Sequence, residues 1–506
     1  MGPVKSEESS RSVDQTASAL ESDNSLVDPE SGFPSRSLGD EKLYLVEFSG
    51  PEDPLHPKNW PEYKTILNSV IGIYAMTTLA FGSSFYAPAA MFIAEEFHVS
   101  DEVAILGIAV YVMGFATGPL LWGPMSDFYG RRPVLLFSLF GFMIFSFAVA
   151  VAKDIQTVII SRFFAGAIGS APLAVVPASF SESINFRWLG ITMSILIASV
   201  FAGPTVAPSV GAFICTSHLG WRWTHYILGI MVSLGLVSFY FGFTETQPEK
   251  VLTEKAVRLR KETGNWAIHS KLEATDLTLA SVTATSLKRV FIMLTTEPII
   301  ILVGIYVSFV YSMLYLCLEA FPLVFIEKYK MGYSVGNLPY IGVTVGLLLS
   351  SILFAFLERR YVAEVARTGK LNPNKRLENM MIPSIVLPIG FFWFFWTANY
   401  HDHIHWIVPT IGAVFIGFGL IGVFLAAILY TVETYLPIAA VAVAANTFMR
   451  SITAGVFPLF AKQLFDNIGL QWGGTLLGCL AIAMIPIPVL FRIYSKGLNE
   501  RKRTSF

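Results

Sequence analysis

Long apolar runs, separated by short polar or charged stretches, dominate the chain from about Thr65 onward. Runs long enough to cross about 30 Å of hydrocarbon begin near Thr65, Val103, Pro133, Thr157, Leu189 and Thr224. A second series begins near Glu297, Ser334, Asn379, His405, Pro437 and Trp472. The pattern predicts six spans, a polar interval and six more, with the least distinct break near Tyr435. Residues 1–63, rich in Ser, Glu, Asp and Pro, read as a disordered cytoplasmic tail. They lack the apolar core of a cleavable signal, so the first span is expected to direct insertion. The remaining divisions are a six-span half over 64–243, a cytoplasmic linker over 244–290, a second half over 291–495 and a short cytoplasmic tail over 496–506. Residues 251–261 mix apolar and basic positions, which predicts a helix lying on the inner membrane surface or solvated as a linker.

Composition supports this layout. The chain has 506 residues, is 54% hydrophobic and 14% charged, and has a mean hydropathy of +0.59. A soluble chain is about a quarter charged, so the class is an all-α polytopic membrane protein. A net charge of -1 says nothing about nucleic acid, which is not expected as a partner. The distribution of charge is more telling. Loops after spans two, four, six and eight, with both tails, hold 28 of the 35 Lys and Arg. The opposite loops hold five: Lys153, Arg222, Lys328, Lys330 and Lys462. Even-numbered loops and both termini are therefore expected in the cytoplasm. The last two, Arg162 and Arg450, lie inside spans.

Cys215, Cys317 and Cys479 are far apart and imply neither a disulfide framework nor a metal site. His401, Asp402, His403 and His405 share one short outer loop at a spacing that suits no tetrahedral metal. A solvated, pH-sensitive loop is the simpler reading. No phosphate-cradling G-x-x-x-x-G-K-[ST] motif occurs, so direct ATP drive is not supported.

Residues 123–132, G-P-M-S-D-F-Y-G-R-R, form a charged turn between two spans. Gly123 and Gly130 permit tight backbone geometry, Asp127 can cap a turn, and Arg131 and Arg132 sit just outside the bilayer. The run resembles the loop between spans two and three of the major facilitator superfamily, roughly G-x-L-x-D-[RK]-x-G-R-[RK], with Met125 for Leu and Phe128 for a basic residue. The resemblance implies a major facilitator fold, two six-helix halves related about the membrane normal. It also implies gating by an ion pair that latches one conformation.

Residues 161–169, S-R-F-F-A-G-A-I-G, resemble the fourth-span R-x-x-x-G-x-x-G pattern of drug:proton antiporters. There the arginine is linked to proton coupling, which for Arg162 implies a neighbouring acid. The other reading is that Arg162 snorkels to the outer surface. In span five, G-P-T-V-A-P-S-V-G over 203–211 resembles the exporter pattern G-x-x-x-G-P-x-x-G-G, with Ser199, Ala207 and Pro208 replacing glycines. Gly203, Pro204, Pro208 and Gly211 are thus candidates for close contact and bending during transport, and ordinary helix packing is compatible with that.

Glu319, at the end of span seven, and Glu433, at the end of span ten, are candidate proton carriers, since a carboxylate held partly out of water gains proton affinity. An exposed interfacial acid and a structural acid are the respective alternatives. Asn446 and Arg450, four residues apart, share a helix face that must look into the bundle. Pathway lining and a structural hydrogen bond both fit that face. Phe81, Phe85, Tyr86, Tyr311, Tyr315, Trp393 and Trp396 are candidate pocket aromatics.

Residues 51–61, 318–325, 381–384 with 390–393, and 446–450 with 457–460 resemble fungal twelve-span drug:proton antiporters, a likeness running from about 44 to 494. Glu433 stands where those relatives usually carry Asp. The resemblance implies a proton-coupled efflux transporter of drugs, toxins or secondary metabolites in the plasma membrane. It would take small lipophilic or cationic compounds, need no cofactor, hold no catalytic residues and act as a monomer rather than an enzyme. A narrow exporter of polyamines or of one metabolite is the alternative. A nutrient sensor would be expected to carry a longer cytoplasmic extension.

Overall fold

Apolar runs bounded by Gly, Pro and charge become helices because a bilayer offers backbone groups no partner but their own chain. The computed structural model describes residues 44–274, 279–369, 372–435 and 438–490. Among them, eleven helices are long and apolar enough to cross a membrane. Glu62–Ser84, Asp101–Tyr129, Arg131–Ala150, Ile155–Ser183, Phe186–Thr216 and Arg222–Gly242 are spans one to six. Pro298–Lys328, Tyr333–Thr368, Asn374–Asn399 and Ile407–Thr434 are spans seven to ten, and Leu470–Leu490 is span twelve. Ala439–Ile468, a 30-residue helix, lies between the last two in chain order and packs against spans two and seven, so it is span eleven. The break near Tyr435 follows the end of span ten at Thr434.

The packing repeats between the two halves. In the first, span one lies on span five, two on four, and three on four and six. In the second, seven lies on eleven, eight on ten, and nine on ten and twelve, which is the same scheme six spans later. Across the seam, two meets eleven and five meets eight, again an exchange-symmetric pair. Small residues permit these approaches. A Cβ on Gly114 or Gly166 would overlap the facing backbone of spans four and two, and one on Gly346 or Gly417 would overlap spans ten and eight.

Proline shapes two spans. Span four is interrupted at Ser170, just before Pro172, and span seven widens into a π-helical turn over Pro322–Lys328, where Pro322 supplies no amide hydrogen.

The linker expected over 244–290 ends earlier than its polarity suggests. Leu279–Thr296 is an amphipathic helix packed on spans two and eleven, with Val290 and Met293 buried. A second compact unit gathers residues 44–60 with residues 245–274. The N–H of Val46 donates to His269 O (2.9 Å) and that of His269 to Tyr44 O (3.0 Å). Val46, Ala256 and Ile268 form a small core with Tyr44, Leu252 and Leu259. Residues 44–60, expected within a disordered tail, are therefore ordered, because their apolar side chains cover the apolar stripe of the helix Pro248–Thr263. That stripe is thus occupied by protein rather than left for lipid. The tail residues 1–43 and 491–506 lie outside the described residues.

Asp53 ties this unit together, accepting from the amides of Ser49 (2.8 Å) and Leu55 (2.9 Å) and lying 3.6 Å from Lys255 Nζ. Burial alone would raise its pKa, but the two amides and the Lys255 ammonium outweigh burial and hold it below the usual carboxylate value. A depressed folded-state pKa means the contribution is present above the unfolded value, near 3.9, and is lost as pH falls through the folded one. Hydrogen exchange at Val46 and His269, corrected for intrinsic rates, should stay slow at neutral pH and accelerate below about pH 4. Ala256→Asp, which sets a carboxylate into the small core, should accelerate it at every pH.

Candidate functional site

Each half carries one buried arginine at the start of its third helix. Gly130, at φ 101°, makes the turn that a side chain would strain, and span three then opens on Arg131. Arg131 donates to Asp127 Oδ1 (2.6 Å), Ser126 Oγ (2.5 Å) and Glu182 Oε1 (2.6 Å), joining the ends of spans two and four. Arg132 donates to Tyr240 O at 2.6 Å. The second half repeats the device. Arg376 of span nine is bidentate to Glu358 of span eight and reaches Glu433 of span ten at 2.7 Å. Its guanidinium also lies over the Tyr361 ring, whose hydroxyl donates to Glu433 Oε2 at 2.8 Å.

This placement changes the role of Glu433, read above as a candidate proton carrier. Both of its oxygens are committed, one to Arg376 and one to Tyr361, so it is built into an ion cluster. Glu182, Glu358 and Arg376 were missed because each looks like ordinary loop charge. Aligning the two halves by span number would have matched Asp127–Arg131 with Glu358–Arg376. At Gly190 of span five, a Cβ would overlap the carboxylate of Glu358, so the halves meet at this face over the ion cluster.

Arg162 is 1% exposed and does not reach a surface, which removes the snorkelling alternative. Its guanidinium donates to Gly82 O (2.6 Å), Ser83 O (3.4 Å) and Gly107 O (3.1 Å). Gly82 and Ser83 belong to the last turn of span one, whose carbonyls have no helical partner. The arginine thus caps the negative end of that helix. The rings of Tyr86 and Tyr111 flank it at 4.6 and 4.2 Å. Among the described residues no carboxylate touches it, so the neighbouring acid expected above is absent. His225, 1% exposed with neither ring nitrogen hydrogen-bonded, lies beside Tyr86 at 6.0 Å between ring centres. As one apolar-flanked histidine, it carried no pattern to single it out.

Span five remains helical through Pro204 and Pro208. A Cβ on Gly203 would overlap the Ala80 backbone, and one on Gly211 would press Pro88 at 2.7 Å. Gly123 differs, since nothing lies within 4 Å of the equivalent position. It serves no close packing.

Tyr311, Tyr315 and Phe424 fill the centre of the second half, and Phe201 of span five reaches across the seam to Tyr311 (5.9 Å) and Phe424 (4.9 Å). Arg450 sits over the Tyr311 and Phe424 rings at 4.8 and 4.9 Å. A mid-span arginine costs about 2.5–3.5 kcal/mol, and ring contacts of about 0.5–2 kcal/mol each offset much of that. Asn446 Nδ2 reaches Thr431 Oγ1 at 3.4 Å. Phe85 and Tyr86 are buried in the first half, and Phe81 packs edge-on to Phe85 at 5.3 Å. Trp393 does not belong to this centre. It is 37% exposed and stacks on Phe415 at 5.4 Å along the outside of spans nine and ten, as expected of an anchor facing lipid. Trp396 is likewise exposed, bonded to Thr475.

Glu319 lines a cavity of about 150 Å³ at the face of the odd-numbered loops. Asp101, Lys462, Glu327, Tyr333 and Tyr340 share the lining, and Lys462 pairs with Asp101 at 3.2 Å across the seam. Tyr333 donates to Pro88 O (2.7 Å) and Ser209 to Asn337 O (2.7 Å), so the halves also touch at this face.

The repeated helix scheme, seam and paired ion clusters describe a two-half transporter. The family model described as Major Facilitator Superfamily matches residues 72–458. The chain belongs to the major facilitator superfamily. Its relatives place it in the superfamily's fungal drug transporter family. It is 45% identical over 490 residues to the multidrug transporter TPO1_2 of Candida glabrata, covering 96% of this chain and 84% of that one. It is 43% identical over 471 residues to the multidrug transporter FLU1 of Candida albicans, covering 93% and 77%. A transporter of the citrinin biosynthesis cluster of Monascus ruber is 37% identical over 500 residues, covering 99% of both chains. The solved proton:xylose symporter XylE aligns with a TM-score of 0.61 at 16% identity, over 85% of this chain and 96% of that one, which shows the fold alone.

Within this facilitator the Asp127 side chain is 57% exposed and that of Glu182 only 18%, although both hold Arg131. Glu182→Gln should therefore impair transport more than Asp127→Asn, because an exposed ion pair contributes little and a buried one costs about 3–5 kcal/mol when broken. Efflux at matched surface expression checks the order, and a fully active Glu182→Gln with an inactive Asp127→Asn would reverse it. Gly203→Leu should abolish transport while Gly123→Ala stays near wild type, because only the first side chain meets backbone.

Proposed function

We propose that this facilitator exports small lipophilic drugs or secondary metabolites in exchange for inward-moving protons, with both termini in the cytoplasm. The observation that carries the coupling is the position of Glu319: a carboxylate with no hydrogen bond or ion pair, opening on a cavity at the expected outer face. The names of the relatives, multidrug transporters and a metabolite-cluster transporter, support the substrate class. The charge asymmetry of the loops supports the orientation, and the plasma membrane is the expected location.

In the exchange cycle, Glu319 takes a proton from the outer cavity while the halves are parted at that face. The ion clusters of Arg131 and Arg376 tie three span ends together within each half at the opposite face, so that each half rocks as one body. Arg162 ties the end of span one to spans two and four, so that span one moves as part of its half. The energetics suffice. One proton entering across 100 mV releases about 2.3 kcal/mol, against about 1.4 kcal/mol for tenfold outward accumulation of a neutral compound.

Glu319→Gln, which imitates the protonated acid, should lose gradient-driven drug efflux in energised vesicles while keeping gradient-independent exchange of drug for drug. Arg162→Ala should lose both, because the freed carbonyls of span one unlock the helix end, and Arg162→Lys should keep a fraction. Wild-type response to an imposed proton gradient in Glu319→Gln would reject the carrier role.

A further inference from the structure

We propose that Arg450 is the recognition site for an acidic group on the exported compound, so that aromatic carboxylates are preferred substrates. This deepens the export reading and rests on it. Among the described residues four arginines are buried in the spans, and three are answered: Arg131 and Arg376 by carboxylates, Arg162 by three carbonyls. Arg450 is not. It is 6% exposed, its Nε has no hydrogen-bond partner, and its guanidinium lies over the faces of Tyr311 and Phe424.

Neighbouring polar groups are left open in the same way. The hydroxyls of Ser308 and Ser312 and the Oδ1 of Asn446 are buried without partners. Ser308 and Ser312 lie on span seven within one turn of Tyr311, and Asn446 lies one turn from Arg450 on span eleven. A Cβ on Gly304 would come within 2.9 Å of Asn446 Oδ1, so spans seven and eleven enclose one polar seam. Buried donors without partners are rare in finished cores, and the open Nε of Arg450 is what a bound anion would complete, while Asn446 Oδ1, an acceptor, is left for a donor on the ligand or for water. The rings of Tyr311, Phe424 and Phe201 supply flat apolar walls for the rest of the molecule. Phe201 comes from the other half, so parting of the halves at this seam would uncover Arg450. A ligand amine would instead face a cation with no carboxylate in contact to offset it.

The test uses the purified full-length protein and three probes of one shape: 2-naphthoate, 2-naphthamide and 2-naphthylmethylamine, titrated by calorimetry at neutral pH in chloride-free buffer. Naphthoate should bind at least about tenfold more tightly than the amide, and the amine no better than the amide. Arg450→Gln should bring acid and amide to within about twofold of each other, and Arg450→Lys should keep a reduced preference. Equal binding of acid and amide by the wild type, tightest binding of the amine, or a preference that survives Arg450→Gln would each overturn the proposal. If Arg450→Gln does not fold, the three wild-type titrations decide alone. Thermal stabilisation by chloride equal to that by naphthoate would assign the seam to a small inorganic anion and likewise overturn it. Binding needs no gradient, so the two readings separate. Efflux without acid preference sinks this inference only, and acid preference without efflux sinks the export reading only.

Discussion

A charge within a bilayer has no water to answer it, and the rest of this structure is arranged around how its buried arginines find their partners. Arg131 and Arg376 draw the ends of three helices together in each half, because each cation needs two carboxylates from two different spans. Arg162 draws in the frayed end of a helix instead, since terminal carbonyls carry partial negative charge and lack their own donors. These are different solutions to one problem. The carboxylate clusters and the carbonyl cap alike lie within one half each, tying span ends together, and only at Gly190 does the Glu358 carboxylate come up against the other half.

The second constraint is closeness. Packing in lipid gains little from burying apolar surface, so helices associate through contact area and need small residues to reach it. Glycines mark the two-on-four and eight-on-ten contacts of the two halves alike, which is why one scheme recurs six spans later. Where a glycine meets nothing, as at Gly123, its presence in a motif says little about packing. Where it meets the neighbouring backbone, as at Gly203, no side chain can replace it without moving a helix.

The span pattern was legible in the sequence because hydrocarbon thickness imposes a length that hydropathy reports directly. Two polar segments were misjudged for the same reason that the spans were not. Residues 44–60 and the helix Leu279–Thr296 are stabilised by a few apolar positions meeting a distant partner, and local composition does not record distance. At the site, Arg162 and Arg450 stood out because a mid-span charge is anomalous wherever it occurs. Their partners did not, since backbone carbonyls and aromatic faces leave no mark in the residue letters. Glu433 illustrates the limit: an acid at a span end looks the same whether it carries a proton or holds Arg376.

That assignment bears on which compounds the protein can handle. A polyamine exporter needs carboxylates along its pathway, and the sequence offered two prominent membrane acids for that purpose. One of them, Glu433, is consumed by Arg376 and Tyr361. The other, Glu319, shares with Lys462 the lining of the cavity at the face of the odd-numbered loops rather than standing in the centre. The centre holds Arg450 among aromatic rings with no opposing charge in contact. A polycation entering there would have to leave its water for a site of its own sign, with a Coulombic penalty enlarged by the low dielectric. Neutral aromatic compounds escape that penalty, and acidic ones reverse its sign. Glu319 lies outside this centre, so in the proposed cycle the proton and the exported compound would not compete for one group.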